Sequence, residues 1–525
     1  MIAQEDPQQT TTSPLTAGDE WSLDPRTDAE WDEMHALGTR MVGDMLAFLR
    51  GIRDEPAWQP TPESVRERLT GAPPMRGEGA EHAYVDFREL VLPYRVGNVH
   101  PRFWGRVQGT GTVMGMLAEL LGGALNNNSS GLASGASHVE EQVLGWCKSL
   151  LGYPAWASGI LVSGGSMANL VGLNVARHAA AERAGVDVKR DGIGAFPRRP
   201  IVYGSTEVHN SIDRALMLLG LGSGALHRIP VDADFRIIPA RLEEAIIADR
   251  AAGFLPMAIV ANAGTVNTGA TDDLEALSDI AARHGVWLHV DGAFGAWAAL
   301  SPSLAPRLRG LAGANSVAFD LHKWMYVPYD VGAVLVRDPS AHRAAFTVGS
   351  AGYIGAAERG VEADAYRFNE LGPQLSRAFR ALKVWLTFKT YGIDALRAQV
   401  ERNVAQAAYL AQRVEAHPLL ELLAPAPLNV VCFRFAPATR REIDLDALNR
   451  EILMRLHERG VAVPTSTRIR GVFGLRCAMV NHRSMREDFD VLVESVVSIG
   501  REIMRETGCE GECSDALLTE AGACA

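Results

Sequence analysis

The stretch "SVAFDLHKWMYVPYD" at residues 316–330 sets Lys323 inside a run of aromatic and aliphatic residues, directly after His322 and three places after Asp320. An ammonium in apolar company is costly unless it is paired, deprotonated or used covalently. The plain alternative is a lysine at a strand edge that reaches out to water along its own stem. Working outward, short apolar strands at "GILVS" (159–163), "RPIVYGS" (199–205), "MAIVANAG" (257–264), "VWLHVDGA" (286–293) and "GAVLVRD" (332–338) alternate with helical stretches such as "SMANLVGLNVARHAAAERAG" (166–185) and "LEALSDIAARHG" (274–285). Strands separated by helices predict an α/β fold with a doubly wound, mostly parallel sheet and ligands at the strand ends.

The chain has 525 residues, 47% hydrophobic and 22% charged, enough for more than one large core. Five blocks are expected: a disordered N-terminus over 1–27, a helical segment over 28–110, a large domain over 111–395, a smaller α+β domain over 396–507 and a disordered tail over 508–525. Within them, "QLSRAFRALKVWLTFKTYG" (374–392) reads as a long helix. A formal net charge of −11, with no basic run, argues against a nucleic-acid partner. No apolar run reaches membrane-spanning length, and the polar first residues do not read as a secretion signal. Six cysteines, spread over so long a chain, form no disulfide framework and fit a cytoplasmic protein. The tail's Cys509 and Cys513 have no histidine nearby, so no metal is expected.

The strand ends carry the candidate chemistry. "GILVS" runs into "GGSMANL", where Gly165 and Ser166 open a helix whose free N–H groups favour an anion; an ordinary turn with an N-cap serine is the alternative. "VWLHV" ends in Asp291, and His209 stands between a strand and a helix in "YGSTEVHNSIDRA". A buried amine, a carboxylate to keep a pyridine nitrogen protonated and a cradle for a phosphate are together what pyridoxal 5′-phosphate (PLP) requires.

The set "SGGSMANL", "EVHNS", "NAGTVNTGATDDL", "HVDGAFGAW" and "DLHKWMYVPYD", with "HPRFWG" (100–105) and "LSRAFRALKVW" (375–385), resembles the group II PLP-dependent amino acid decarboxylases, from about residue 28 to 500. That resemblance implies the fold type I transferase architecture and a homodimer with active sites at its interface. It also implies decarboxylation of an L-amino acid to its amine and CO₂ through a Schiff base to Lys323 and a quinonoid carbanion. Carried over by position, Asp291 partners the pyridine nitrogen, His209 stacks on the ring, Gly165 and Ser166 hold the phosphate, Thr265 and Ala293 contact the ring's other side, and His322 precedes the lysine. Tyr353, in the Gly/Ala-rich "TVGSAGYIGAAERGVEADAY" (347–366), falls near the family's proton donor, with Tyr366 as its substitute.

Two departures bear on substrate and cofactor. The family usually has asparagine where this chain has Asp320, an acid beside a phosphate. The substrate side is polar: Asn127 and Ser129 in "LNNNSSGLAS" (125–134), and Arg106 and Gln108 next to Phe103 and Trp104. Arg106 either binds an acid or turns to solvent, and the two aromatic residues suit an aromatic substrate. The polar set tips the expectation slightly towards a polar or anionic side chain. Aldehyde-forming decarboxylation, a PLP-dependent lyase reaction and a catalytically silent PLP-binding partner protein are the rival functions.

Overall fold

The computed structural model describes residues 23–348, 359–361, 366–437 and 443–507. Its chain divides into two compact units, one made of residues up to 51 with 61–94, the other of 52–60 with everything from 95 onward. The first is helical. Its main element, the helix Asp28–Gly51, begins with acidic Asp28 and Glu30 and ends with Arg50, the charge order that the helix dipole favours.

The second unit contains two sheets. The larger has seven strands: β1 (Ser158–Val162), β2 (Pro200–Ser205), β3 (Leu226–Ile229), β4 (Leu255–Asn262), β5 (Trp287–Asp291), β6 (Ser316–Asp320) and β7 (Gly332–Val336), in the spatial order β1-β7-β6-β5-β4-β2-β3. Only β7 runs antiparallel to its neighbours. Strands β1, β2, β5, β6 and β7 are buried along their whole length, which is why they read as continuous Val/Ile/Leu/Ala runs without alternation. The mostly parallel sheet expected from the strand–helix alternation is present. One consequence positions all the chemistry: β1, β2, β4, β5 and β6 end on the same edge of the sheet, so Ser163–Ser166, His209, Gly264, Asp291 and Asp320 arrive there together.

The smaller sheet contains β8 (Leu420–Leu422), β9 (Val430–Phe435), β10 (Thr465–Ile469) and β11 (Val472–Ala478), all antiparallel, in the order β10-β11-β9-β8. Phe433, Phe435, Leu475 and Cys477 on it pack with Phe489, Val496 and other apolar residues of the helix Arg486–Glu506 into a separate core.

The expected helix over 374–392 starts late. Helical structure runs from Arg380 to Glu415 with a break at Gly392, whose φ of 76° is open to glycine. Residues 374–379 are kept out of it by Arg377. The Arg377 N–H donates to Asn128 Oδ1, its carbonyl accepts from the Ser129 N–H, and its guanidinium is buried against Glu140 and the Leu161 carbonyl. Those interactions hold the segment in a non-helical path, and local periodicity gave no sign of them.

Buried histidines make stability depend on pH. Burial holds His289 and His342 down to about 4 and His482 to about 3. An unfolded chain takes up these protons below about pH 6.5, while the folded chain excludes them. Their stabilisation is therefore complete above that value and is lost as pH falls towards 4, by up to about 1.4 kcal/mol per pH unit for each ring. The denaturant midpoint should fall from pH 7 to 5.5, proton uptake by the unfolded histidines outweighing the opposite effect of Asp272, whose carboxyl burial pushes up to about 6; a flat profile there would mean that these rings are protonated in the fold.

Candidate active site

At the shared strand edge lies a cavity of about 980 Å³. Its floor is formed by the connection after β6. Leu321, Trp324, Met325 and Val327 are fully buried, while Lys323 turns into the cavity with His322 and Tyr329, its Nζ 2.8 Å from Asp320 Oδ2. The lysine in apolar company is thus paired. Asp320 is 1% exposed, and its other oxygen, Oδ1, has no partner. His322 donates nothing from Nδ1, which accepts the Val331 N–H at 3.0 Å, and burial lowers its basicity. Its ring lies 4.3 Å from that of Tyr329 across the cavity wall.

Beside Asp320 stands the N-terminus of the helix Gly165–Arg183, which has no side-chain cap. A Cβ on Gly165 would approach Asp320 Oδ2 to 2.9 Å, and one on Gly332 would approach Asp320 Oδ1 to 2.4 Å and the Gly164 Cα to 2.6 Å. Only glycine permits this closeness. Uncapped N–H groups facing a cavity form a ready anion site.

Beneath the cavity runs a closed chain of hydrogen bonds. Asn169, on the second turn of the same helix, donates from Nδ2 to Asp291 Oδ2 (2.9 Å) and to Ser211 Oγ (3.0 Å), and accepts at Oδ1 from His289 Nε2 (2.9 Å). His289 Nδ1 in turn accepts from Ser316 Oγ, which accepts from Trp287 Nε1, each at 2.8 Å. Asp291 Oδ1 accepts the Ala293 N–H at 3.1 Å. His209 caps the helix Asn210–Leu218, its Nδ1 accepting from the Ser211 N–H (3.2 Å) and hydroxyl (2.8 Å). With Nδ1 an acceptor twice over, the neutral ring carries its proton on Nε2. Burial, and secondarily Lys323, lower the basicity of His209 against the opposing pull of Asp291 and Asp320.

Lys323, Asp320, His322, Asp291, Ala293, His209, Gly165, Ser166, Arg106 and Gln108 all line the cavity. Other residues singled out in the sequence do not. Thr265 is buried between Gly264 and Val266, which do line it, its hydroxyl accepting the Ala270 N–H. Trp104 is 1% exposed, stacked 4.8 Å from Phe489 with Nε1 donating to Ser484 Oγ, and Phe103 packs with Ala57 and Val463. Asn127 Nδ2 donates to Ser129 Oγ, and Ser129 is fully buried under Arg377. Tyr353 lies outside the described residues. Tyr366 is half-buried and packs on Phe368.

Two residues that sequence reasoning passed over belong to the cavity. Asn169 is one, and the "MANL" that follows the glycines could have flagged it. Arg476 on β11 is the other. It is 3% exposed, and it donates to the carbonyls of Arg106 (2.9 Å) and Val266, while its Nε has no partner. Gln108 Oε1 is likewise buried without a partner.

These features meet the demands of PLP: an amine, a carboxylate fixed by two donors, a helix terminus for a phosphate, and orphaned polar atoms awaiting a ligand. Comparison with known proteins agrees. The family described as "Pyridoxal-dependent decarboxylase conserved domain" matches residues 62–436. An aromatic-L-amino-acid decarboxylase of Bacillus atrophaeus is 32% identical over 92% of this chain and 98% of its own. An L-2,4-diaminobutyrate decarboxylase of Rhizobium meliloti is 29% identical over 90% of each chain. The crystal structure of Oryza sativa TDC with PLP and tryptamine superposes with a TM-score of 0.84 at 25% identity, covering 92% of this chain and all of that one. The fold is therefore the type I architecture of PLP enzymes, and the chain belongs to the family of PLP-dependent amino acid decarboxylases.

Proposed function

We propose that the substrate is an aromatic L-amino acid whose ring carries a hydrogen-bond donor, a phenol or an indole, and that the product is its amine. The observation that carries this is Gln108 Oε1, a buried acceptor inside the cavity with nothing to accept from. A buried acceptor left bare is costly, so a ligand that supplies the missing N–H or O–H is favoured over one that does not. An acidic side chain is disfavoured by the cations available. Arg476 is buried with a free Nε, and the α-carboxylate common to every amino acid satisfies it. Arg106 is exposed and contributes its carbonyl, and Lys323 is already paired. The slight preference for an anionic side chain drawn from Arg106 therefore has no second buried arginine behind it among the described residues that line the cavity. The name of the Bacillus relative points the same way.

Bound PLP supplies an electron sink for the bond broken at Cα. In this reading the protein's part is placement. Lys323 Nζ is the point of covalent attachment, and Gly164, Gly165 and Ser166 hold the phosphate with main-chain N–H groups. Asp291, oriented by Asn169 and the Ala293 N–H, would keep a proton on the ring nitrogen. His209 presents its face and its Nε2–H. Arg476 orients the carboxylate that is lost as CO₂. Tyr353 is retained as the group that returns a proton to Cα, which makes the product an amine.

We further propose a homodimer and a cytoplasmic location. On the helix Val113–Leu125, Leu120, Leu121 and Leu125 are exposed, an apolar face that a second copy would cover. Cys147, Cys432 and Cys477 are free thiols, as a reducing compartment maintains them.

Three outcomes test this. Borohydride reduction and peptide mapping should place the cofactor label on Lys323, and Lys323→Ala should lose turnover; a label elsewhere refutes the attachment site. In Gln108→Leu, kcat/KM for tyrosine and tryptophan should fall about 10- to 100-fold while that for phenylalanine holds; an equal loss for all three removes Gln108 from recognition. Asn169→Leu strands Asp291, Ser211 and His289 at once. It should lower unfolding free energy by about 2 kcal/mol or more and reduce kcat in protein that is still folded and cofactor-loaded. A variant of wild-type kcat would show that Asn169 does not position the site.

A further inference from the structure

Asp320 is an unusual neighbour for an anion site. It is 1% exposed, it borders the uncapped terminus at Gly164–Ser166, and its Oδ1 has no hydrogen-bond donor. In the free protein its charge is balanced by Lys323, 2.8 Å away. Loading the cofactor upsets this balance twice. Lys323 must give up its positive charge to become a nucleophile, and a phosphate must settle beside a carboxylate that has just lost its counter-ion. Two like charges in a buried site disfavour each other strongly.

We propose that Asp320 takes the proton of the Lys323 ammonium as the cofactor loads, so that a single transfer frees the amine and removes the negative charge beside the phosphate cradle. The inference rests on the reading of Lys323 as the attachment residue. Before loading, the pair is a carboxylate and an ammonium. The proton passes from Nζ to Oδ2 along the existing contact, leaving a neutral carboxylic acid and a neutral amine. The amine nitrogen then bonds to the aldehyde carbon, and the carbonyl oxygen leaves as water with the amine's two remaining hydrogens. No outside acid or base is needed.

The other groups facing Asp320 do not take over this role. His322 Nε2 is 3.7 Å from Asp320 Oδ2, but its Nδ1 is occupied as an acceptor, so Nε2 already carries the ring's hydrogen. His209 and Asp291 approach from the ends of neighbouring strands. His209 Nδ1 is filled by Ser211, and Asp291 is committed to Asn169 and Ala293. Tyr329, on the returning arm, is held in its neutral form by burial and by Asp320 itself. An asparagine, which the family usually carries here, could tolerate the phosphate but could not accept the proton.

The test uses cofactor-free wild type and Asp320→Asn. Infrared difference spectra on adding PLP should show the carbonyl stretch of a neutral carboxylic acid in wild type and none in the variant. Inorganic phosphate, which cannot bond to the lysine and so leaves Asp320 ionised, should bind Asp320→Asn at least about tenfold more tightly than wild type. No acid band on loading, or equal phosphate affinities, would overturn the proposal; the wild-type spectrum decides even if the variant fails to fold. Borohydride labelling of a residue other than Lys323 would instead refute the attachment reading, so the two failures are distinguishable.

Discussion

One carboxamide sets the terms on which the site is built. The amide of Asn169 has a donor end and an acceptor end, and each is fully used: the NH₂ by Asp291 and Ser211, the oxygen by His289. Buried polar groups must be satisfied, so the amide's orientation dictates which nitrogen of His289 carries hydrogen, which way the Ser211 hydroxyl points, and through it the hydrogen of His209. Reversing the amide would set acceptor against acceptor at Asp291 and donor against donor at His289. Its position depends in turn on Gly172, one turn further along the helix. A Cβ there would stand 2.6 Å from His289 Cε1, so the helix can approach the sheet this closely only with a glycine at that point.

How much of this could be read from the sequence follows from what local pattern encodes. Lys323, Asp291, His209, Gly165 and Ser166 each lie at or within a few residues of the end of an apolar strand, so the strands that revealed the sheet also revealed them. The expected strands are all present. Gln108 and Arg476 were harder to place. One stands in an irregular segment and the other inside β11, and they meet only because residue 104 pairs through its backbone with Val463 and Ala478. That same pairing explains where Phe103 and Trp104 went. Their aromatic surface was read as a pocket wall, but the backbone at 104 runs between elements of the small sheet's core, and the indole packs there. The polar run at 125–134 had a similar fate. Asn128 and Ser129 serve Arg377 from 249 and 248 residues away in sequence, a partnership that no periodicity signals.

The two buried arginines show opposite uses of one residue type. Arg377 has a carboxylate partner in Glu140 and donates to the carbonyls of Ser129 and Leu161, with only its Nε left without an acceptor, and its guanidinium lies 5.0 Å over the Phe368 ring. It is a fastening, and a buried pair of this kind is disrupted severely by losing either partner. Arg476 has carbonyls but no carboxylate, so its charge remains unmatched until something anionic enters. The fold tolerates that charge beside a cavity, where water or a ligand can approach it.

The single antiparallel strand has a consequence of its own. By inserting between β1 and β6, β7 sets the strand that launches the glycine terminus and the strand that launches the lysine two steps apart, roughly 10 Å at ordinary strand spacing. It also turns the lysine's connection into a hairpin, closed where the N–H groups of Leu321 and His322 both reach the Val331 carbonyl. The amine is therefore carried on a bracket fixed at both ends, and the sheet itself is the ruler that measures its distance from the anion cradle. A shift of register in β7 would change that span and, with it, the length of ligand that the cavity can grip at both ends.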